Sequence, residues 1–285
     1  MENFIYFLQG RMETPGWFGW YHILWLGLMV AACVLIYVFR KRISQKAVHR
    51  IILISGIVLL VFEVYKQIVY SFNFNGGGGN STWDYEWYSF PFQFCSTPGY
   101  LMVLAGILKP GKVRDTIYSY LATYALFAGL CVMVYPGDVF SSMIGINIHT
   151  MVWHAGMVVI AFLILATRSV EFNFKTILKA TIVFVIMLIL ALLMNIIWWH
   201  CSDRSETFNM FYISPYYPCT LPLLSILYPM MPYACFLLMY IIGFMLAASI
   251  MLGFAILFAK LEAAIAKRRN KNNNSEEVAQ TKQSE

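Results

Sequence analysis

The sequence predicts an all-α, polytopic membrane protein with seven transmembrane helices, its N-terminus outside and its C-terminus in the cytoplasm. Of its 285 residues, 60% are hydrophobic and 12% are charged, whereas soluble domains average roughly 45–50% apolar and about 25% charged residues. The apolar residues fall into runs of roughly 20, the length that a helix needs to cross the hydrocarbon of a bilayer. This composition excludes a soluble globular enzyme and a disordered regulator.

The spans are expected to be helical because lipid offers backbone groups no hydrogen-bond partner outside their own segment. Their predicted cores are residues 20–39, 51–72, 91–108, 116–135, 148–167, 176–199 and 231–258. The chain thus divides into an outer N-terminal segment (1–19), a seven-helix transmembrane domain (20–258) and a basic cytoplasmic tail (259–285). The polar composition of that tail predicts disorder, and residues 1–10 are expected to form a short interfacial helix.

The basic residues predict the orientation. With the N-terminus outside, 17 of the 20 Lys and Arg residues fall in cytoplasmic segments, while Arg11 and Arg204 lie outside and Lys66 lies within a span. By the positive-inside rule this pattern indicates a multi-pass protein of the cell membrane in the N-out, C-in orientation. The formal net charge of +6 then reflects topology, and nucleic acid is not expected as a partner because no binding motif accompanies the scattered charges.

The second span carries an unusual set of polar residues. Glu63, Lys66, Gln67 and Tyr70 follow an i, i+3, i+4, i+7 spacing that places them on one helical face. The rise of a helix puts Glu63 roughly 18 Å from the cytoplasmic start of the span, in the outer half of the bilayer. Either Glu63 and Lys66 neutralise each other inside the protein, or the stripe lines an outward-opening cavity that binds substrate.

The third span opens with FPFQFCSTPGYL, in which Cys95 lies just below the outer boundary. Pro98 and Gly99 are expected to loosen or kink the helix there. A backbone amide freed beside the thiol could act as an oxyanion donor. The alternative is that Cys95 is a small apolar filler, as membrane cysteines usually are.

Two histidines mark the outer end of the fifth span, His149 at the boundary and His154 deeper. Their separation of five residues differs from the i, i+4 spacing of helical metal pairs, so neither a metal nor a cofactor is expected. His154 can serve as a hydrogen-bonding group between helices or as a general base or acid.

Asn195 lies near the outer end of the sixth span and precedes a long loop, FNMFYISPYYPCTLPLLSILYPMMP. This loop has little charge and is too apolar to float in water. We expect it to fold back over the outer mouth of the bundle, which requires that protein buries its backbone. Cys201 and Cys219 could be joined by a disulfide bond there, and Asn80-Ser81-Thr82 forms a glycosylation sequon beside the glycine-rich residues 76–79.

These polar residues converge on one region. The predicted site is formed in the outer half of the bundle by five separate segments, namely the apolar loop after the sixth span and the four spans that carry its proposed members Glu63, Lys66, Gln67, Cys95, His149, His154 and Asn195. Convergence of costly polar groups from separate helices is typical of a binding or catalytic site.

Several short motifs resemble those of the YwaF-type bacterial integral membrane proteins. These are PFQFC at the start of one helix, YP after the next, HTMVWHAG on the following one, Asn195, and the aromatic-rich NMFYISPYYPCTLPLLSIL. The resemblance covers residues 20–258. Many members carry a histidine two residues before the cysteine, a position that Gln93 occupies here. A similar eukaryotic branch is linked to phospholipid acyl transfer by a membrane cysteine, which implies Cys95 as nucleophile and His154, or else His149, as base.

Two classes of function are therefore expected. The first is a lipid-modifying thiol enzyme, a phospholipid acyltransferase, transacylase or hydrolase, in which Glu63 or Lys66 contacts the headgroup and Asn195 the carbonyl. Its site depth implies that the acyl donor is a membrane lipid. The second is a non-enzymatic carrier or receptor, in which Glu63 and Lys66 hold a small zwitterion. A structural subunit of a larger assembly is a third possibility, although nothing in the sequence names a protein partner.

Overall fold

The computed structural model describes residues 2–74, 81–137 and 139–283, which are mostly helical. Asn80 of the sequon and the glycine-rich residues 76–79 lie outside these ranges. The α-helices are α1 (Glu2–Leu8), α2 (Trp20–Phe39), α3 (Gln45–Ser71), α4 (Thr97–Ile107), α5 (Lys112–Tyr120), α6 (Leu126–Val134), α7 (Ile144–Ala166), α8 (Phe174–Cys201), α9 (Leu224–Leu227) and α10 (Tyr233–Gln283). A two-stranded antiparallel sheet joins β1 (Phe72–Phe74) to β2 (Ser81–Trp83).

Six helices in the described ranges are long and apolar enough to cross a membrane. One of them is the continuous unit Lys112–Val134, in which a π-helical turn at Leu121–Ala125 joins α5 to α6. Of the apolar window of α7, 72% is buried, whereas only 6% of that of α2 and 11% of that of α10 is buried. Helix α7 is therefore central, and α2 and α10 turn their apolar side chains toward lipid. The prediction of a polytopic helical membrane protein is confirmed.

The third predicted span is shorter than expected. Its helix, α4, has only 11 residues and begins at Thr97, so residues 91–96 are not helical as the prediction required. Pro98 lies in the first turn, where proline is tolerated because its missing N–H would have had no partner in the helix. The proline therefore starts this helix, and the expected kink within a longer one is absent.

The loop after α8 does fold back into the bundle. Phe208, Met210, Phe211 and Ile213 are fully or almost fully buried and belong to the main hydrophobic core. We call residues 208–217 the lid. At its centre a 3₁₀ turn spans Met210–Tyr212, and Phe211 adopts a left-handed backbone conformation with φ of 58°.

The described part of the chain begins and ends in a helix. Helix α1 lies where the interfacial helix was predicted and is attached to α3, because Tyr65 donates a hydrogen bond of 2.7 Å to the Leu8 carbonyl. Helix α10 runs on to Gln283, beyond residue 259 at which the predicted cytoplasmic tail begins. Several residues after Ala266 are Lys, Arg, Glu or Gln, which have high helix propensity and extend a helix that is already nucleated.

Candidate functional site

A buried carboxylate forms the centre of the site. Glu63 is 4% exposed, and its Oε1 lies 2.7 Å from Nζ of Lys66 and accepts a hydrogen bond of 2.8 Å from Nε2 of Gln67. The predicted spacing thus brings these three side chains together on one face of α3. Because a buried charge is costly unless it is paired, the Glu63–Lys66 pair explains how both ions are held inside the bundle.

Gln67 connects this pair to the end of the bundle at which α3 ends. Its Nε2 also donates to the Ser89 carbonyl at 2.8 Å, and its Oε1 accepts a bond of 2.7 Å from the Tyr85 hydroxyl. Both partners belong to the segment that follows β2. All polar atoms of the Gln67 side chain therefore form hydrogen bonds. These bonds hold the segment after β2 next to the Glu63 carboxylate, so Gln67 positions that segment.

Helix α7 supplies the other side of the site. Nε2 of His149 lies 3.4 Å from Oε2 of Glu63, and neither atom has a hydrogen-bond partner among the described residues. The His149 ring stacks on that of Trp153, one turn further along, with centroids 5.4 Å apart and planes 28° apart. The imidazole is thus held between a carboxylate edge and an indole face.

Trp153 joins this histidine to the predicted nucleophile. Its indole Nε1 donates a hydrogen bond of 2.6 Å to the Cys95 carbonyl. The close approach requires a glycine nearby, because a Cβ on Gly99 would lie 2.8 Å from the Trp153 ring. The tertiary structure therefore places Cys95, His149, Glu63 and Lys66 in one connected cluster.

The backbone around Cys95 is a tight turn in which the amides that follow are already used. The amides of Ser96 and Thr97 point to the Gln93 carbonyl, at 2.8 and 3.2 Å. The expectation that Pro98 frees one of them as an oxyanion donor is therefore wrong, since the helix begins there without a break. The turn nevertheless places Cys95 two residues before the first residue of α4, where the helix dipole favours negative charge.

His154 is buried deeper on α7 and has a defined tautomer. Its Nδ1 lies 2.7 Å from the Thr150 carbonyl, an acceptor, so Nδ1 carries the proton. Nε2 is then a lone-pair nitrogen, and it has no hydrogen-bond partner in the described part of the chain. This protonation state suits a base, although the contacts that link α7 to Cys95 run through Trp153 and His149.

The side chain of Asn195 forms hydrogen bonds with the lid. Its Nδ2 donates to the Met210 carbonyl at 3.0 Å, and its Oδ1 accepts from the Met210 amide at 2.7 Å. Gln93 makes a similar pair, accepting from the Phe211 amide at 2.9 Å and donating to the Asn209 carbonyl at 3.1 Å. The two amide side chains satisfy the buried backbone of the 3₁₀ turn, which explains how a loop can enter the bundle.

The two cysteines that flank the lid are not joined. Cys201 is exposed and Cys219 is buried, and both are free thiols. The lid is therefore held by hydrogen bonds, including one of 2.8 Å from the Tyr240 hydroxyl to the Phe211 carbonyl, and by aromatic packing.

Sequence reasoning did not assign a role to Trp153, Tyr85 or Tyr120. Trp153 follows His149 by four residues, and this spacing alone indicates that the two rings lie on the same helical face. The hydroxyls of Tyr120 and Thr97 lie 3.0 Å apart and join the end of α5 to the start of α4. No local pattern pointed to that contact, because its partners are 23 residues apart.

Comparison with known proteins adds one result. No curated protein and no solved structure matches the chain. The model of the TMEM164 family, a family of membrane proteins, matches residues 17–268, a range that includes the whole site and all six long helices. The chain belongs to the TMEM164 family.

Proposed function

We propose that this protein is a thiol-dependent phospholipid acyltransferase or transacylase with its site in the outer half of the membrane. The observation that carries the proposal is the connected set of Cys95, Trp153, His149 and Glu63, in which Trp153 joins the backbone of Cys95 to an imidazole that lies beside a carboxylate. Nucleophile, base and orienting acid are the groups that covalent acyl transfer requires. The motif resemblance to YwaF-type proteins and their eukaryotic acyl-transferring branch supports the same chemistry.

In the proposed reaction, the base removes the Cys95 proton and the thiolate attacks an ester carbonyl of a donor phospholipid. The ester C–O bond breaks, the acyl group is held as a thioester, and the lysophospholipid leaves with the proton from the base. A hydroxyl of an acceptor lipid then attacks the thioester, gives its proton to the base and regenerates the thiol. Water in place of the acceptor would give hydrolysis.

We assign the base to His149 in preference to His154. His149 stacks on the ring that binds the Cys95 backbone, and its Nε2 faces Glu63, which would orient the ring and stabilise the imidazolium. His154 carries a proton on Nδ1 and a free Nε2, so it is the second candidate. Separate variants of the two histidines distinguish these assignments.

Lys66 is the proposed lipid-binding cation. Among the described residues Glu63 is the one ionic partner of its ammonium group, and an ammonium has three N–H donors. The remaining donors would bind the phosphate or the ester carbonyl of the lipid. Asn195 and Gln67 are proposed to position the lid and the outer segment, since their amides bind backbone and Tyr85.

The proposed topology places this site beneath the outer headgroups. We propose seven crossings, in which residues 91–96 and α4 together complete the third, with the N-terminus outside and the C-terminus in the cytoplasm of a cell membrane. The Lys and Arg distribution supports this orientation. The carrier alternative is less well supported, because it gives no role to the contacts that link Cys95 to His149 and Glu63 through Trp153.

The test is acyl transfer by the purified protein in vesicles that contain a labelled donor phospholipid and a lysophospholipid acceptor. Cys95→Ala is expected to abolish transfer, while Cys33→Ala, which removes another partly buried free thiol, should leave it unchanged. His149→Ala is expected to lower turnover by about 10²–10⁴-fold, the usual contribution of a general base. Equal turnover in wild type and Cys95→Ala would overturn the proposal. A loss of turnover in His154→Ala but not in His149→Ala would assign the base to His154.

A further inference from the structure

A second feature lies at the opposite end of the bundle. Gln45, the first residue of α3, bonds the Thr167 carbonyl, and Glu63 is 18 residues further along α3, about 27 Å away at the rise of an α-helix. Near Thr167 a lipid-facing groove of about 510 Å³ opens between α2 and α10, over the surface of α6 and α7. The groove is separate from the acyl-transfer site and does not depend on the function proposed for it.

The walls of the groove are apolar along most of its length. Leu126, Leu130 and Phe162 line its floor, while Phe254 and Phe258 of α10 line one side. The rings of Phe254 and Phe258 are 64% and 49% exposed, as expected for side chains that meet acyl chains. A groove of this shape fits a hydrocarbon chain lying along the helices.

One end of the groove is closed by a charged cluster, which consists of Tyr37, Arg40, Arg168 and Glu262. The Tyr37 hydroxyl donates to Glu262 at 2.7 Å, and Arg40 forms an ion pair with the same carboxylate. Arg168 reaches the other carboxylate oxygen at 3.7 Å. Two guanidinium groups thus converge on one carboxylate, and the cluster keeps a net positive charge.

Aromatic rings hold the two arginines in place, and their guanidinium groups have N–H donors that can bind a ligand. Arg40 stacks over the Tyr37 ring at 3.7 Å and Arg168 over the Phe172 ring at 4.2 Å. The Arg168 side chain is 46% exposed. A guanidinium has five N–H donors, and in the described part of the chain the contacts above use only part of them. Paired arginines of this kind are suited to phosphate oxygens.

We propose that the groove binds one anionic phospholipid from the leaflet on the side of the basic loops. Its phosphate lies on Arg40 and Arg168, and one acyl chain lies in the groove between α2 and α10. The occupant follows from charge complementarity, since the apolar channel ends at a net positive cluster at the headgroup level. Basic pockets between transmembrane helices are known to favour anionic headgroups.

The test is native mass spectrometry of the full-length protein with equal amounts of phosphatidylglycerol and phosphatidylcholine that carry the same acyl chains. Wild type is expected to retain phosphatidylglycerol preferentially. Arg168→Gln should lower that preference about fivefold, and Arg40→Gln with Arg168→Gln should lower it further, following the attraction per basic residue near a membrane. Arg50→Gln, an exposed arginine outside the groove, should leave the preference unchanged.

A second pair of variants tests the apolar part without altering charge. Ala166→Trp places an indole in the groove and is expected to remove the bound lipid of either headgroup. Ala264→Trp, at an exposed position of α10 outside the groove, should retain it. The proposal is overturned if the double arginine variant keeps the wild-type preference, if Arg50→Gln loses it equally, or if Ala166→Trp retains the lipid. Thermal unfolding in phosphatidylcholine confirms that each variant is folded.

Discussion

Trp153 donates its indole N–H to the Cys95 carbonyl at 2.6 Å, and this bond ties the turn that holds the thiol to the central helix α7. The same ring is stacked against His149. One side chain thus fixes both the backbone of the proposed nucleophile and the plane of its proposed base. Because Gly99 leaves the space that the ring occupies, the arrangement depends on two residues that carry no chemistry of their own.

Replacing Trp153 by Phe should separate positioning from catalysis. The ring is kept, but the Cys95 carbonyl loses its donor, and an unsatisfied buried acceptor costs about 1–3 kcal/mol. We expect a lower thermal stability and at least a tenfold lower rate of acyl transfer. Trp198→Phe is the matched control, because within the described residues the Trp198 N–H has no hydrogen-bond partner. Similar losses in both variants would contradict a specific role for the bond.

The effects of substitutions at Glu63 and Lys66 on stability should be strongly non-additive. Glu63→Gln leaves the Lys66 ammonium buried without its counter-ion, and breaking a buried ion pair costs about 3–5 kcal/mol. Removing both charges, as in Glu63→Gln with Lys66→Met, should restore most of that stability. Thermal unfolding of the two single variants and the double variant provides the measurement. A double variant no more stable than Glu63→Gln would show that the pair is not what holds these residues in the bundle.

Asn195 is expected to control the lid. Asn195→Leu removes both hydrogen bonds to Met210, at about 1 kcal/mol each. The buried backbone of the lid then lacks these two partners. Hydrogen exchange at residues 208–217 should become faster by an order of magnitude or more. Asn147→Leu removes an equivalent pair of bonds, to Ser141, and should destabilise its own loop without loosening the lid. Unchanged exchange in the lid of Asn195→Leu would refute this role.

The carboxyl group of Glu86, in the segment after β2, should make the stability of the protein depend on pH. Burial raises the pKa of its carboxyl group, and the neighbouring carboxylates of Glu206 and Asp84 raise it further. A raised pKa in the folded state means that the folded protein holds this proton more tightly than the unfolded chain. The stability that this provides is present below the unfolded pKa of about 4.3 and is lost as pH rises through the raised value.

Glu86→Gln should therefore flatten the dependence of the melting temperature on pH between about 4 and 7, and the variant should be the more stable protein at the upper end. Glu13→Gln, a change at an exposed carboxylate, is the control and should follow the wild-type curve. Parallel curves for wild type and Glu86→Gln would contradict the prediction.

Periodic patterns in the sequence alone determined the membrane class, most of the spans and the local geometry within one helix. The contacts of Glu63 with Lys66 and Gln67 follow from the i, i+3, i+4 geometry of any helix. The burial of the lid followed from its composition, since an apolar loop at the membrane surface has to be covered by protein. These features depend on neighbours in sequence or on the solvent, and both can be read without coordinates.

Only the tertiary structure decided which residues meet across helices. The contact of His149 with Glu63 joins α7 to α3, and that of Trp153 with Cys95 joins α7 to the turn before α4. Gln93 and Asn195 proved to bind the lid backbone, and Pro98 proved to start a helix. Such contacts depend on how whole helices pack and on which buried acceptor each donor can reach. Because the partners lie far apart in the chain, no periodic pattern in the sequence indicates them.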